Sequence, residues 1–280
     1  MDLRTRLAST LFAKVAGPNG REVRARVHDT PGPRWFADDR PIRRVHGDAA
    51  LFVGGLRALL LQSLHPLAMA AVAQHSDYRG DPWGRLQRTS TFLAMTTFGA
   101  AVDAQRAVDK VRGVHRRVHG TAPDGREYRA DDPHLLLWVH VAEVDSFLRT
   151  HQVYGARPLD QEGQDGYVAD TARVAEALGV PDPPRTTAEL AARIAAYRPE
   201  LRGTAEAREA ARFLVRKAPL PLLARPPYAV LAATAIGTLP PWARLPLRLP
   251  YLPLAEATAI RTAGHGLVRG LRWTMAARPA

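Results

Sequence analysis

The sequence predicts an all-α protein built as a single helical domain, and three observations support this fold class. Strict alternation of apolar and polar residues is nearly absent along the 280 residues. β-branched residues never cluster in runs of strand length. Asp-Pro and His-Pro pairs recur where apolar helices would begin, and proline is tolerated there because the first turn of a helix does not use its N–H.

The N-terminal part is predicted to be a separate arm. A short helix is expected over residues 1–20, because a Gly-Pro-Asn-Gly turn cluster closes it. Residues 21–47 are expected to be irregular, since Thr30-Pro31-Gly32-Pro33 interrupts any helix. We therefore divide the chain into an N-terminal helix and irregular arm at 1–32 and a helical domain over 33–280.

The helices of the main domain are predicted from capping carboxylates and first-turn prolines. Asp48 is expected to cap a helix by accepting from free backbone amides, and Asp81-Pro82 and Asp132-Pro133 give the same signal twice more. A turn or small hairpin is expected over 121–132, which contains Pro-Asp-Gly. Helices are predicted at residues 49–64, 66–74, 82–98, 101–119, 134–150, 164–178, 187–197, 204–216, 227–236 and 253–277.

Composition excludes several classes of site. The absence of cysteine excludes disulfides, thiolate metal sites, iron–sulfur clusters and covalent haem attachment. The formal charge of +12 comes mainly from arginines that are interleaved with Asp and Glu, and no nucleic-acid motif accompanies them. We expect no nucleic-acid partner. No signal peptide and no transmembrane helix are predicted, so a cytoplasmic protein is expected.

Arg85 and Thr89 form the first candidate pair. They are four residues apart on one predicted helix, so both side chains project from the same face. A guanidinium is a fixed cation with a forked donor array, which suits a cofactor carboxylate or a bound oxygen species. The alternative is an exposed arginine beside a surface threonine.

His115 and His119 form the second candidate pair, with the i, i+4 spacing of helix-borne metal ligands. Arg116 and Arg117 stand between them where a His-Glu-x-x-His motif has its glutamate, so a zinc protease is not supported. One of these histidines could instead hold haem iron through a single ring nitrogen.

Two further histidines lie in apolar surroundings. His140 falls within the run from Leu135 to Ala142, and His65 lies between leucine and proline. A hydrogen-bonded core histidine is the alternative explanation for each. Histidines on apolar helices without cysteine or paired Glu-x-x-His motifs favour a haem pocket over a zinc or di-iron site.

Taken in order, these motifs resemble one family, the latex-clearing-protein and MpaB-type oxygenase superfamily. The resemblance extends over roughly residues 33–270. It is carried by His65-Pro66, His75-Ser76, Asp81-Pro82 with Arg85-Leu86 and Arg88-Thr89, Val111-Arg112 with His115, Val118 and Gly120, and Leu136 with Trp138-Val139-His140.

The resemblance implies globin-like packing around a haem pocket that holds a non-covalent b-type haem. It implies His115 as the proximal iron ligand, with His119 and His140 as alternatives, and Arg85 and Thr89 as catalytic residues that line the pocket. His65 and His140 are expected to line the pocket or support it. The rubber-cleaving members cleave carbon–carbon double bonds of polyisoprene with dioxygen, and fungal relatives shorten a prenyl chain oxidatively.

This chain departs from the rubber-cleaving members in two ways. It is shorter, and Met69 and Ala70 stand where a counterpart of their catalytic acidic residue is sought. We therefore expect a haem-b-dependent oxygenase that acts with dioxygen on a small hydrophobic substrate such as an isoprenoid. The alternative is a non-enzymatic haem- or lipid-binding helical protein that contacts an anionic membrane through its arginines and the Pro-rich apolar segment 218–254. The sequence does not indicate an electron donor.

Overall fold

The computed structural model describes residues 3–276, and about 71% of the chain is helical. The all-α prediction is confirmed. The α-helices are α1 (Leu3–Ala16), α2 (Gly20–Asp29), α3 (Pro41–His46), α4 (Leu51–Gln62), α5 (Pro66–His75), α6 (Pro82–Phe98), α7 (Ala101–His115), α8 (Pro133–Tyr154), α9 (Gln161–Leu178), α10 (Thr187–Tyr197), α11 (Ala205–Arg216), α12 (Arg225–Thr238), α13 (Pro241–Arg244), α14 (Pro253–Ala255) and α15 (Arg261–Met275).

Shorter elements complete the fold. Strands β1 (His119–Thr121) and β2 (Glu127–Arg129) pair antiparallel, which confirms the predicted hairpin. The chain also forms 3-10 turns at Arg198–Glu200 and Leu222–Ala224 and a π-helical turn at Glu256–Ile260. The globin-like arrangement of the helices stays a prediction.

Two of the three predicted capped helix starts are confirmed. The predicted start at residue 49 is wrong, because α4 begins at Leu51 with Ala50 as its N-cap, and Asp48 accepts from the Ala50 amide rather than from an amide of the first turn. The carboxylate of Asp81 accepts from the Gly84 amide at 2.8 Å, and that of Asp132 accepts from the His134 amide at 2.9 Å. In both cases the next residue is the first-turn proline. These starts follow from local chemistry alone, because a short carboxylate reaches amides that the first turn leaves unpaired.

The prediction that residues 21–47 are irregular is wrong, because α2 and α3 lie within them. α2 is very polar, and its stability comes from contacts distant in sequence: Val27 is buried and Arg26 pairs with Asp103 of α7. In α3 the Ile42 amide donates to the carboxylate of Asp170 on α9 at 3.3 Å. Tertiary packing therefore stabilises helices that show little apolar periodicity.

The prediction of one helix over residues 101–119 is also wrong at its C-terminal end. α7 ends at His115, and the chain then enters the hairpin, where the Ala130 amide donates to the Val118 carbonyl at 2.8 Å. His119 lies on β1 opposite Arg129 and is exposed. His115 and His119 are therefore not neighbours on one helix face, and the i, i+4 ligand pair does not form.

The core is centred on the packing of α4 against α8. Trp138 of α8 is fully buried, and its indole N–H donates to the Gln62 carbonyl at the end of α4 at 3.1 Å. α6 and α7 form an antiparallel pair that packs against α1, α2, α3 and α9 instead. Neither α6 nor α7 packs extensively against α8 or α4.

Within residues 3–276, no single helix has both the length and the apolar composition needed to cross a bilayer. α4 and α5 together meet those two criteria, with a bend of 108° between them.

Candidate functional site

Two of the predicted site residues lie on helices that pack against each other. Gly99 and Ala100 join α6 to α7, and the two helices are in contact. Arg85 lies in the first turn of α6, and His115 is the last residue of α7. If the short turn makes the helices antiparallel along their length, the guanidinium and the imidazole lie at the same end of the pair.

Arg85 and Thr89 face away from the N-terminal helix. The opposite face of α6 contacts α1, where Gln87 donates to a backbone carbonyl at 3.3 Å and Ser90 to another at 2.8 Å. Arg85 is half-buried and donates to the Ser76 hydroxyl at 3.2 Å, whereas Thr89 is exposed. Arg85 is therefore turned toward the elements on the far side of α6 from α1, whereas Thr89 faces solvent.

Arg85 lacks the counter-charge that the buried arginines have. Arg57 and Arg244, each 3% exposed, pair with Asp145 at 2.7 Å and with Glu256 at 2.6 Å. Among residues 3–276 no carboxylate lies within 4.0 Å of the Arg85 guanidinium, and burial lowers its pKa. A desolvated cation without a partner is costly, so this arginine is suited to receive an anion that the protein itself does not supply.

His115 is half-buried, and its imidazole makes no hydrogen bond within the described chain. Burial lowers the pKa of His115, and the nearby Asp131 carboxylate opposes that shift only in part. The imidazole is therefore neutral at neutral pH, which is the form that binds a metal.

His140 occupies the inner side of α8. Its Nε2 is enclosed by protein and has no hydrogen-bond partner, and burial lowers the pKa of His140 to about 4. The predicted alternative of a hydrogen-bonded core histidine therefore does not describe its Nε2. Like His115, it is a neutral imidazole with an unused ring nitrogen.

A polar cluster that the sequence did not reveal lies at the other end of the α6–α7 pair. His46 of α3 contacts the Thr97 hydroxyl through Nδ1 at 2.8 Å and the Tyr167 hydroxyl through Nε2 at 3.2 Å. Burial lowers the pKa of His46 to about 3. Glu143, one turn beyond His140 on α8, makes no hydrogen bond among the described residues, and burial raises its pKa to about 7.

From the sparse packing of the α6–α7 pair on α4 and α8, we infer a space between the two pairs of helices that these groups border. One end is closed by His46, which links α3, α6 and α9. The other end is closed by the hairpin and by Ser76, which follows α5 and accepts a hydrogen bond from Arg85. Partly buried apolar side chains on the surrounding helices adjoin the core here: Ala68, Val72, Leu93, Leu137 and Val174. We infer an enclosed, largely apolar site with a few polar groups, the usual form of a cofactor site.

Other predicted residues lie elsewhere. His119 is on the exposed strand β1, and His65 lies against His134 and Glu200 at the start of α5. Two open surface grooves, at Lys14 and at Arg44, lie outside the inferred space. Arg85 and His115 thus lie on the contacting helices α6 and α7, and His140 lies on α8, whereas His65 and His119 lie in other surroundings.

Sequence reasoning missed Glu143 and His46. A signal for Glu143 exists, because a lone carboxylate three residues after His140 in an apolar helix must lie on the same face. No comparable signal exists for His46, since its partners Thr97 and Tyr167 are distant in sequence.

Replacing Glu143 by glutamine should change how stability depends on pH. Burial raises the pKa of Glu143 from 4.5 to about 7, so its favourable contribution is fully present below pH 4.5 and is lost as the pH rises through 7. Glu143→Gln should therefore be more stable than the parent at about pH 8, by up to about 3 kcal/mol, and nearly equal to it at about pH 4. Urea unfolding across this range measures the difference. A difference that does not vary with pH would show that Glu143 is solvated.

The chain matches a known protein family over most of its length. The sequence profile described as "ER-bound oxygenase mpaB/B'/Rubber oxygenase, catalytic domain" matches residues 43–277. An uncharacterised protein of Mycobacterium tuberculosis (strain ATCC 25618 / H37Rv) is 34% identical over 102 residues, which are 36% of this chain and 39% of that protein. An uncharacterised protein of Mycobacterium bovis matches to the same extent. The match thus spans about two fifths of each relative. No solved structure matches the chain.

Proposed function

This chain belongs to the family of MpaB and rubber oxygenase catalytic domains, and we propose that it is a haem-b-dependent oxygenase acting on a small hydrophobic substrate. The family is of the oxygenase type, which supports a general oxygenase role with dioxygen and an organic substrate as partners. Dioxygen reacts slowly with closed-shell organic molecules, so the family also suggests a metal or haem cofactor.

The observation that carries the proposal is the half-buried guanidinium of Arg85, which has no carboxylate partner among the described residues and lies on the helix packed against α7, where His115 is the neutral last residue. Haem b presents both an iron that accepts imidazole nitrogen and carboxylates that need a cation. The enclosed, unpartnered Nε2 of His140 adds a further unused nitrogen on the facing helix. These donors fit haem, and the absence of cysteine fits non-covalent binding.

Each residue has a distinct task in this proposal. His115 holds the iron through a ring nitrogen, and Arg85 places a cofactor carboxylate while it keeps its bond to Ser76. Thr89 lies one turn farther along the face of Arg85 and contributes a hydroxyl. Haem, when bound, supplies the one-electron and dioxygen chemistry that no side chain provides.

The surroundings indicate the substrate class. The apolar side chains that adjoin the space exclude water, and they suit an aliphatic or isoprenoid chain better than a polar molecule. Glu143 holds a proton at a carboxyl oxygen below about pH 7 and can release it above, so it can exchange a proton within this space. The lining thus favours a hydrocarbon with few polar groups.

Oxygen-isotope labelling tests the proposed activity. Haem-reconstituted protein, supplied with a reductant and a detergent-dispersed isoprenoid alkene such as squalene, should incorporate label from ¹⁸O₂ into a product. The haem-free protein is the matched control and should give no labelled product. Label arriving from H₂¹⁸O alone, or equal product from both samples, would overturn the oxygenase assignment.

The second proposed partner is an anionic membrane surface, and an exposed apolar loop favours it. Leu245 and Leu254 are 83% and 84% exposed, and Tyr251 and Leu252 are more than half exposed. Arg248 is exposed within this loop. The Glu256 carboxylate already pairs with Arg244 and therefore does not neutralise Arg248. Exposed leucines and an aromatic ring beside an unpaired cation are typical of peripheral membrane contact.

Replacing Leu252 and Leu254 together by aspartate should abolish sedimentation with vesicles that contain phosphatidylserine, because the change removes apolar contact and adds like charge. Val102→Asp alters a residue of α7 that is 51% exposed and should leave sedimentation unchanged. Equal sedimentation of all three proteins would contradict docking through this loop.

A further inference from the structure

A second group of metal-ligating side chains lies apart from Arg85 and His115. His65 at the start of α5, His134 in the first turn of α8 and Glu200 in the 3-10 turn converge, with their ligand atoms all within 4.8 Å of one another. The Glu200 Oε2 atom lies 3.4 Å from His65 Nε2 and 2.9 Å from His134 Nε2. The three residues come from distant parts of the sequence, so only the tertiary fold brings them together.

His65 is nearly completely buried, and its Nε2 lacks a hydrogen-bond partner. The residue is 1% exposed, and Nε2 is enclosed by protein although it faces the Glu200 carboxylate. The other ring nitrogen, Nδ1, accepts only the Ala68 amide, at 3.5 Å, which is the outer limit for a hydrogen bond. An enclosed nitrogen aimed at a carboxylate therefore needs another partner.

His134 is oriented by Tyr197. The Tyr197 hydroxyl donates to the His134 carbonyl at 2.7 Å, and the same oxygen lies 3.4 Å from His134 Nδ1. A lone pair of the Tyr197 hydroxyl oxygen can accept a hydrogen bond from the Nδ1 proton of His134. The Nε2 lone pair of His134 is then directed at Glu200. A lone pair and a carboxylate at 2.9 Å repel each other unless a proton or a cation lies between them. This orientation of a ligating histidine through its second nitrogen is common in metal sites.

We propose that His65, His134 and Glu200 bind one Zn²⁺ ion, with water in the fourth position. Two imidazole nitrogens and one carboxylate are a known zinc ligand set. Tetrahedral zinc with bonds of about 2.0–2.1 Å separates its ligand atoms by about 3.3 Å, close to the observed 2.9 and 3.4 Å. Calcium and magnesium prefer sites built of oxygen ligands, and this one offers two nitrogens.

The surroundings allow such an ion to enter and to remain. The side chains of His134 and Glu200 are 51% and 40% exposed, so the site opens to solvent on one side while His65 closes the other. Arg126, a nearby cation, is paired with Asp124 at 2.7 Å. Bound zinc links three parts of the fold: the junction of α4 and α5, the start of α8, and the 3-10 turn at Arg198–Glu200. Its effect is therefore on stability, since an ion that binds only the folded chain stabilises it.

Zinc titration of untagged, chelator-treated protein tests this assignment. Competition with a chromophoric chelator should reveal one tight site per chain, and Zn²⁺ in excess should raise the unfolding midpoint by about 5 °C. His134→Gln and Glu200→Gln should each weaken binding by about 100-fold or more and abolish the shift in midpoint. Tyr197→Phe should weaken zinc binding by about 10-fold, because it removes only the hydroxyl that orients His134.

The controls are chosen to separate a built site from scattered surface ligands. His28→Gln and Glu22→Gln alter an exposed histidine and an exposed glutamate of α2 and should bind zinc as the parent does. Because His134 and Glu200 are partly exposed, their variants should keep the unfolding midpoint of the zinc-free parent. Binding that is equal in all variants, or no saturable site in the parent, would overturn the assignment. The titration is read without haem chemistry, so its outcome is independent of the oxygenase proposal.

Discussion

Replacing His115 by alanine should abolish haem retention. In the proposed site this imidazole holds the iron, and it is neutral because burial lowers its pKa. The loss of a direct ligand should lower haem affinity by more than about 100-fold, the upper end of what removal of a supporting residue costs. Haem titration of the purified apoprotein, followed by the Soret absorbance, measures the affinity.

Two other histidines are the matched controls. His119→Ala changes an exposed strand residue and should retain haem fully. His140→Ala changes the facing helix and should weaken binding less than His115→Ala does, because it only borders the space. If His115→Ala retained haem while His140→Ala lost it, His140 would be the iron ligand and the assignment of His115 would be wrong.

Replacing Arg85 by leucine should damage function while it spares stability. Hydrogen bonds to charged groups contribute about 1.5–3 kcal/mol, so loss of the guanidinium should lower kcat/KM by about 10- to 150-fold. The free energy of unfolding of the apoprotein should stay unchanged or rise by about 1 kcal/mol, because the removed cation was desolvated without a carboxylate partner. Oxygen consumption and urea unfolding give the two quantities.

Arg88→Leu is the control for that experiment. Arg88 is exposed, three residues along the same helix, and pairs with Asp81 at 3.2 Å. An exposed ion pair contributes at most about 1 kcal/mol, so both activity and stability should stay near those of the parent. If Arg85→Leu were destabilised and Arg88→Leu were equally inactive, Arg85 would have a structural role only.

The parts of the fold that local chemistry determines could be predicted from the sequence. The starts of α6 and α8 follow from Asp81 and Asp132, whose carboxylates cap amides two or three residues away. The bounds of α10 were predicted as observed, and the structure shows that the Thr186 hydroxyl caps this helix by accepting from the Glu189 amide. In these places the interaction that determines the element lies within the element.

The parts that were missed depend on contacts between distant residues. α2 is polar along its length and is stabilised through the pairing of Arg26 with Asp103, which no sequence pattern reveals. The end of α7 was misplaced because the strand at His119 forms only by pairing with Arg129 and its neighbours.

The candidate site also has a part that the sequence predicts and a part that it does not. The spacing of Arg85 and Thr89 showed that they share a helix face. The grouping of His65 with His134 and Glu200 required the tertiary structure. Spacing along one helix is readable from the sequence, whereas contacts between helices are not.

A visible absorption spectrum of the purified protein, before and after addition of reductant and carbon monoxide, tests the central claim most directly. We expect a Soret band that shifts on reduction and shifts again with carbon monoxide, because His115 would hold the iron and an iron that reacts with dioxygen must also be able to bind carbon monoxide. A protein that stays colourless after haem supplementation would contradict haem binding. A Soret band that carbon monoxide does not move would contradict an open iron site and therefore the oxygenase.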